Sequence, residues 1–168
     1  HHGIITAESS PGRGSTFTVY LPVVEKEAAS DNKTEKSFPT GCESILFIDD
    51  EPPLVEIGKQ MLERLGYDVI AKTNSVEALE IFKKEPVRFH LVITDLAMPQ
   101  MTGEEVAKNI WQIRSDIPII ICTGFNSRIT ADKSKDMGFK ALIIKPFSME
   151  IIAEIVRKVL DNKKSHLS

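Results

Sequence analysis

The sequence predicts a doubly wound α/β domain over residues 44–162, with five parallel strands in the order 2-1-3-4-5. Three observations predict it. Short apolar runs recur along this stretch, and each is followed by a stretch with helical apolar spacing. The runs are continuous rather than alternating, which means burial on both faces, the habit of a parallel sheet covered by helices. Right-handed crossovers between such strands place helices on both sides of one sheet.

The elements follow in chain order. The strand candidates are residues 45–48, 67–71, 91–94, 117–122 and 141–144. The helix candidates are roughly 53–65, 75–84, 103–114, 128–137 and 149–160. Pro53 suits a first helical turn, where its missing N–H costs nothing. Ser75 and Ser148 suit N-caps, because a hydroxyl can accept from the free amides of the first turn. Gly66 and Gly138 suit helix ends, where the chain turns into the left-handed region.

Two further zones precede this domain. Residues 1–24 are short, β-prone and rich in Gly, Ser and Thr, and read as a β-hairpin with a Gly-rich turn. Residues 25–43 are polar and mixed in charge, without apolar periodicity, and read as a flexible linker. Residues 163–168 form a tail.

Composition removes several classes. Net charge is −3, so a basic surface for nucleic acid is not indicated. No apolar run approaches the ~20 residues that span a bilayer, and no signal-peptide pattern opens the chain. The two cysteines, Cys42 and Cys122, read as a linker thiol and a small buried strand residue. The surroundings read as cytoplasmic. His1 and His2 have no neighbours at metal-ligand spacing and are assigned nothing.

The polar residues fall in telling places. Asp49 and Asp50 end the first strand, Asp95 the third, Thr123 the fourth and Lys145 the fifth. Open α/β sheets bind ligands beyond the carboxyl ends of their strands, where the strand order reverses. Carboxylates brought together there repel one another, and a cation is the usual remedy. Mg²⁺ prefers oxygen ligands and keeps several waters. Asp50, Asp95 and a backbone carbonyl could supply ligands, with Asp49 holding a metal-bound water. Lys145 adds positive charge and Thr123 a hydroxyl donor. Such a site suits phosphoryl transfer onto a carboxylate nucleophile, and Asp95 is central enough to be that nucleophile.

Ile45-Leu46-Phe47-Ile48-Asp49-Asp50-Glu51-Pro52 resembles the opening of a two-component receiver domain. Leu91 to Gly103, with the run Thr94-Asp95-Leu96-Ala97-Met98-Pro99, resembles that family's phosphoacceptor strand and loop. Ile119 to Gly124 and Leu142 to Phe147 resemble its fourth and fifth strands. The resemblance implies a CheY-like fold with Asp95 as phosphoacceptor and Mg²⁺ as cofactor. The implied metal set is Asp49, Asp50, Asp95 and the backbone carbonyl of Ala97. Thr123 and Lys145 are the implied phosphoryl contacts, and the Lys145–Pro146 bond is often cis in this family. Receivers commonly meet histidine-bearing partners at their first helix, where Val55 and Ile57 edge a wide apolar arc of roughly 160°. Many receivers also pair the fourth-strand threonine with a Phe or Tyr three residues before the fifth-strand lysine. Here that position is Leu142.

Residues 3–22, with Gly12-Arg13-Gly14-Ser15-Thr16-Phe17, resemble the closing strands of a histidine-kinase ATP-binding domain. A receiver after such strands is the order of hybrid histidine kinases. The motifs that hold nucleotide are absent, so residues 1–24 are a remnant without useful ATP affinity. Whether the fragment is an enzyme stays open; the implied parent is a protein histidine kinase, membrane-anchored or not. Implied partners are a histidine kinase domain, in cis or in trans, and a histidine phosphotransfer protein. Among the rivals, an aspartyl-phosphate enzyme of the haloacid-dehalogenase type needs an acid at Ala97, which cannot supply one. A phosphate-independent receiver-like module usually lacks acidic-pocket residues that this chain retains. A DNA-binding response regulator needs an output domain, for which the sequence leaves no room after the fifth helix.

Overall fold

The computed structural model describes residues 2–22, 37–124 and 130–164. They fall into two units, His1–Lys36 and Ser37–Ser168.

The first unit is the expected hairpin. Strands β1 (Ile4–Ser10) and β2 (Gly14–Tyr20) pair antiparallel through a turn in which Gly12 and Gly14 take positive φ. The register puts Ile5 opposite Val19 and Ala7 opposite Phe17 on one face. Thr6, Glu8, Thr16 and Thr18 line the other. Among the described residues of this unit the apolar face is uncovered: Ile5 and Phe17 are each 69% exposed.

The second unit alternates strand and helix. Its strands are β3 (Ser44–Ile48), β4 (Asp68–Lys72), β5 (Leu91–Asp95), β6 (Ile119–Thr123) and β7 (Ala141–Ile144). Its helices are α1 (Pro52–Arg64), α2 (Ser75–Lys84), α3 (Gly103–Ile113), α4 (Ala131–Asp136) and α5 (Met149–Lys164). All strand pairs are parallel, in the order β4-β3-β5-β6-β7, which is the expected 2-1-3-4-5 order.

Alternation along the strands builds two cores. Ile45, Phe47, Leu91, Ile93, Ile120, Cys122 and Ile143 point to the face covered by α1 and α5, meeting Leu62, Ile152 and Val156. Leu46, Ile48, Val92, Ile119 and Ile121 point to the other face, meeting Leu79, Phe82, Val106 and Ile110 of α2 and α3. Burial on both faces is why the strands read as continuous apolar runs. Among the described residues no helix is long and apolar enough to cross a membrane.

Three local expectations change. Ser75 is not the N-cap of α2: Asn74 is, its Oδ1 accepting from Val76 N at 2.9 Å and Glu77 N at 3.1 Å. An amide oxygen on an extended residue reaches both first-turn amides, and Ser75 is left buried as the first helical residue. The linker expected over residues 25–43 is shorter at its far end. Residues 37–43 belong to the second unit: Phe38 packs on the first core, Gly41 N donates to Leu65 O at 3.0 Å, and Glu43 pairs with Arg157. The rest of that linker, residues 25–36, lies outside the described residues, as do the first residues expected in α4 (128 and 129) and the tail residues 165–168. Third, α5 runs to Lys164, one turn past the expected end.

Candidate functional site

Register alone gathers the site. Ile48 pairs with Thr94, so Asp49 and Asp95 stand level on neighbouring strands. Asp95 pairs with Cys122 and Thr123 with Ile144, so Thr123 and Lys145 extend the same row across β6 and β7. The three strand ends beside Asp95 therefore deliver their polar groups to one edge of the sheet.

Lys145 ties the row together. Its Nζ lies 2.5 Å from Asp49 Oδ2 and 2.5 Å from Asp95 Oδ1. Asp49, Asp95 and Thr123 are all buried. The Lys145–Pro146 peptide is cis. Backbone amides complete the carboxylate shells: Glu51 N donates to Asp49 Oδ1 at 3.1 Å, and Ala97 N donates to Asp95 Oδ2 at 2.8 Å. Among the described residues the Thr123 hydroxyl makes one long contact, 3.4 Å to Gly124 O.

The electrostatics favour a bound cation. Burial is the largest influence on Asp49 and pushes its pKa up, against the Lys145 ammonium and the Glu51 N–H. Burial is also the largest single influence on Lys145 and pulls it down. The hydrogen bonds to Asp49 and Asp95 together outweigh it, so Lys145 ends above its ordinary value and keeps its proton. The pair thus satisfies the lysine but not fully the aspartate. The difference follows burial, since the Asp49 side chain is 1% exposed and that of Lys145 is 13%. Cys122, beneath the site, is fully buried and held well above the ordinary thiol value by desolvation.

Two observations bear on the implied Mg²⁺. Asp49 Oδ2 is buried, and among the described residues the Lys145 ammonium is its one close polar partner. Asp50 is half-buried, and its side chain has no hydrogen bond or ion pair among the described residues. The Asp50 carboxylate is thus an oxygen donor left over from protein contacts, beside an Asp49 oxygen whose partner is the Lys145 ammonium, and a hard cation fits such a pair. Among the described residues no three His, Cys, Asp or Glu side chains form a group at metal-ligand spacing. The implied set does not require one, because only Asp50 and Asp95 would bind directly, alongside a backbone carbonyl.

The loop after Asp95 carries features that sequence reading did not single out. Gly103 N donates to Leu96 O at 2.9 Å, and a Cβ on Gly103 would collide with the Asp95 carbonyl, which requires glycine there. Gln100 takes φ +68. The Asn74 amide Nδ2 donates to Gln100 Oε1 at 3.4 Å. Nothing in the residue types at 74 and 100 signals this cross-loop contact.

Comparisons with known proteins agree with the fold that carries this site. The family model described as the response regulator receiver domain matches residues 45–157. Sensor kinase CckA of Brucella abortus (strain 2308) is 28% identical over 170 residues, covering 96% of this chain and 18% of the kinase. Sensor protein EvgS of Escherichia coli O157:H7 is 32% identical over 154 residues, covering 89% of this chain and 13% of that protein. The chain therefore spans less than a fifth of either relative. A response regulator receiver domain protein from Clostridium thermocellum superimposes with a TM-score of 0.69 at 28% identity, over 73% of this chain and 98% of that one.

Proposed function

Residues 45–157 make this chain a member of the response regulator receiver family of two-component signalling, and from that premise we propose that Asp95 is its phosphoacceptor. The observation that carries the reading is the Lys145 ammonium bridging Asp49 and Asp95, 2.5 Å from each. An Asp95 oxygen attacks the phosphorus of a phosphohistidine on a kinase domain. The new P–O bond forms as the P–N bond breaks, and the electron pair returns to the imidazole nitrogen, which takes up a proton. Lys145 stabilises charge on the transferring group, and the Thr123 hydroxyl donates to a phosphoryl oxygen. The Ala97 N–H holds Asp95 Oδ2, which leaves Oδ1 on the lysine side. Asp50, Asp95 and the Ala97 carbonyl would hold Mg²⁺, with Asp49 reaching it through water. Bound there, Mg²⁺ supplies positive charge to the phosphoryl oxygens.

The phosphoryl group then passes to a histidine phosphotransfer partner or to water. Similarity to sensor kinases over almost the whole chain supports a place within a hybrid kinase on the cytoplasmic side. The same similarity, with the amphipathic hairpin, supports residues 1–24 as the end of an ATP-binding domain. Intact-mass analysis after incubation with acetyl phosphate and Mg²⁺ tests the central claim. One added phosphoryl group is expected on the wild type and none on Asp95→Asn. Wild-type labelling of Asp95→Asn would remove Asp95 from the role.

A further inference from the structure

The loop of residues 96–102 holds Asp95 through the Ala97 N–H, and it contains a strained turn. Met101 N donates to Pro99 O at 2.8 Å, closing a three-residue turn centred on Gln100. Gln100 takes φ +68. A γ-turn with positive φ is the rare, strained kind, and a side-chain-bearing residue stays in it only when its surroundings over-determine it.

Those surroundings come largely from another element. Asn74 Nδ2 donates to Gln100 Oε1 at 3.4 Å, and Ser75 Oγ donates to Pro99 O at 3.5 Å. The N-terminus of α2 therefore reaches both the carbonyl and the side chain of the turn. Asn74 is itself fixed, because its Oδ1 accepts from Val76 N and Glu77 N. Capping the helix aims the other end of the amide at Gln100. Ser75 is buried, so its hydroxyl needs the Pro99 carbonyl. Met98, inside the same loop, is buried in the second core and anchors the near side.

We propose that Asn74 is a positioning residue for the phosphoacceptor. It holds the strained turn at Gln100, and the turn in turn sets the Ala97 N–H against Asp95 Oδ2. The inference rests on the reading of Asp95 above only for its functional consequence. Both α2 contacts are long, so each is worth a modest factor rather than all of the activity.

The test separates capping from positioning. Asn74→Ser and Asn74→Asp keep an oxygen that can cap α2 and remove the Nδ2 donor. Gln100→Ala removes the acceptor. Three quantities are measured on the whole chain: Tm, exchange of the Ala97 amide by NMR, and affinity for beryllofluoride with Mg²⁺. Tm should hold within about 2 °C, as the cap survives. Ala97 exchange should quicken and beryllofluoride affinity should fall, each about fivefold, the scale of one neutral hydrogen bond. The double variant Asn74→Ser/Gln100→Ala should be no worse than either single one, because both break the same contact. Wild-type Ala97 exchange in all three single variants, or losses that add in the double, would overturn the proposal. If the wild type fails to bind beryllofluoride, the reading of Asp95 falls, and Ala97 exchange alone still decides whether Asn74 positions the loop.

Discussion

The Lys145 ammonium lies 2.5 Å from Asp49 Oδ2, yet burial holds the Asp49 carboxylate above its ordinary pKa. A raised folded pKa means that the native state binds this proton more tightly than the unfolded chain. Ionised Asp49 therefore costs stability at neutral pH, and the cost fades as pH falls through the folded value. Asp49→Asn removes the buried charge, keeps the shape and leaves Lys145 paired with Asp95. Tm should rise by about 4 °C, from roughly 1 kcal/mol of stabilisation, while Mg²⁺-dependent labelling of Asp95 falls. A thermal melt and a labelling time course check both halves. An unchanged or lower Tm would show that the lysine fully compensates the buried aspartate.

At the opposite end of the sheet, the Glu43–Arg157 pair behaves differently. Arg157 Nη2 and Nη1 donate to Glu43 Oε1 and Oε2 at 2.9 and 3.1 Å, and Arg157 Nη1 also reaches Thr40 O at 3.4 Å. Gly41 sits among Tyr67, Glu43 and Arg157 with no room for a Cβ. The hydrogen bond from Arg157 lowers the Glu43 pKa to about 2. A depressed carboxylate contributes stability that is present above its unfolded value of 4.5 and lost as pH falls through about 2. Arg157→Leu should cost about 2–3 kcal/mol in urea unfolding at pH 7. It should also flatten the fall in stability between pH 4.5 and 2. The same acid slope in the variant would mean that other carboxylates carry it.

These two pairs mark what sequence could and could not reveal. The site was legible because each strand announces itself as an apolar run and each polar group sits at the end of one. Asp49, Asp95, Thr123 and Lys145 needed only the strand order to converge. Residues 37–43 were illegible because their partner is remote. Glu43 reads as a solvated linker charge until Arg157, 114 residues later, is placed beside it. The Asn74 cap was lost to Ser75 because both types suit the position, and only backbone geometry decides between them. The positive φ of Gln100 carried no signal, since glutamine is not a turn-specific residue.

The first helix offers a separate test. Leu62 is buried, Met61, Leu54 and Val55 are half-buried, and Ile57 is 47% exposed. The wide arc read from sequence therefore does leave its Ile57 edge in solvent. This edge follows directly on the Asp49-Asp50 end of β3, where a histidine-bearing partner would approach Asp95. Val55→Asp should slow phosphotransfer from such a partner by about tenfold, the order expected for a charge placed in an interface. Labelling by acetyl phosphate should stay at the wild-type rate. Equal slowing with both donors would place the effect in the site rather than on the surface.

The last prediction concerns what phosphorylation moves. In receivers that switch through an aromatic ring, the ring shifts into space vacated by the fourth-strand hydroxyl. Here the corresponding residue is Leu142, half-buried against the second core. A leucine has no polar tip to draw outward and less volume to relocate. A ligand shifts an equilibrium only by its differential interaction with two states. When the Thr123 hydroxyl leaves its 3.4 Å contact with Gly124 O for a phosphoryl oxygen, Leu142 gains nothing by moving. The response should stay in the loop that follows Asp95, through Gly103, and at Thr123 and Gly124. The neighbouring residues 125 and 126, also expected to respond, lie outside the described residues. Backbone NMR with beryllofluoride and Mg²⁺ checks this directly. Large shifts along Ala131–Asp136 and Ala141–Ile144, or conversion to a dimer through that face, would show that Leu142 transmits the signal after all.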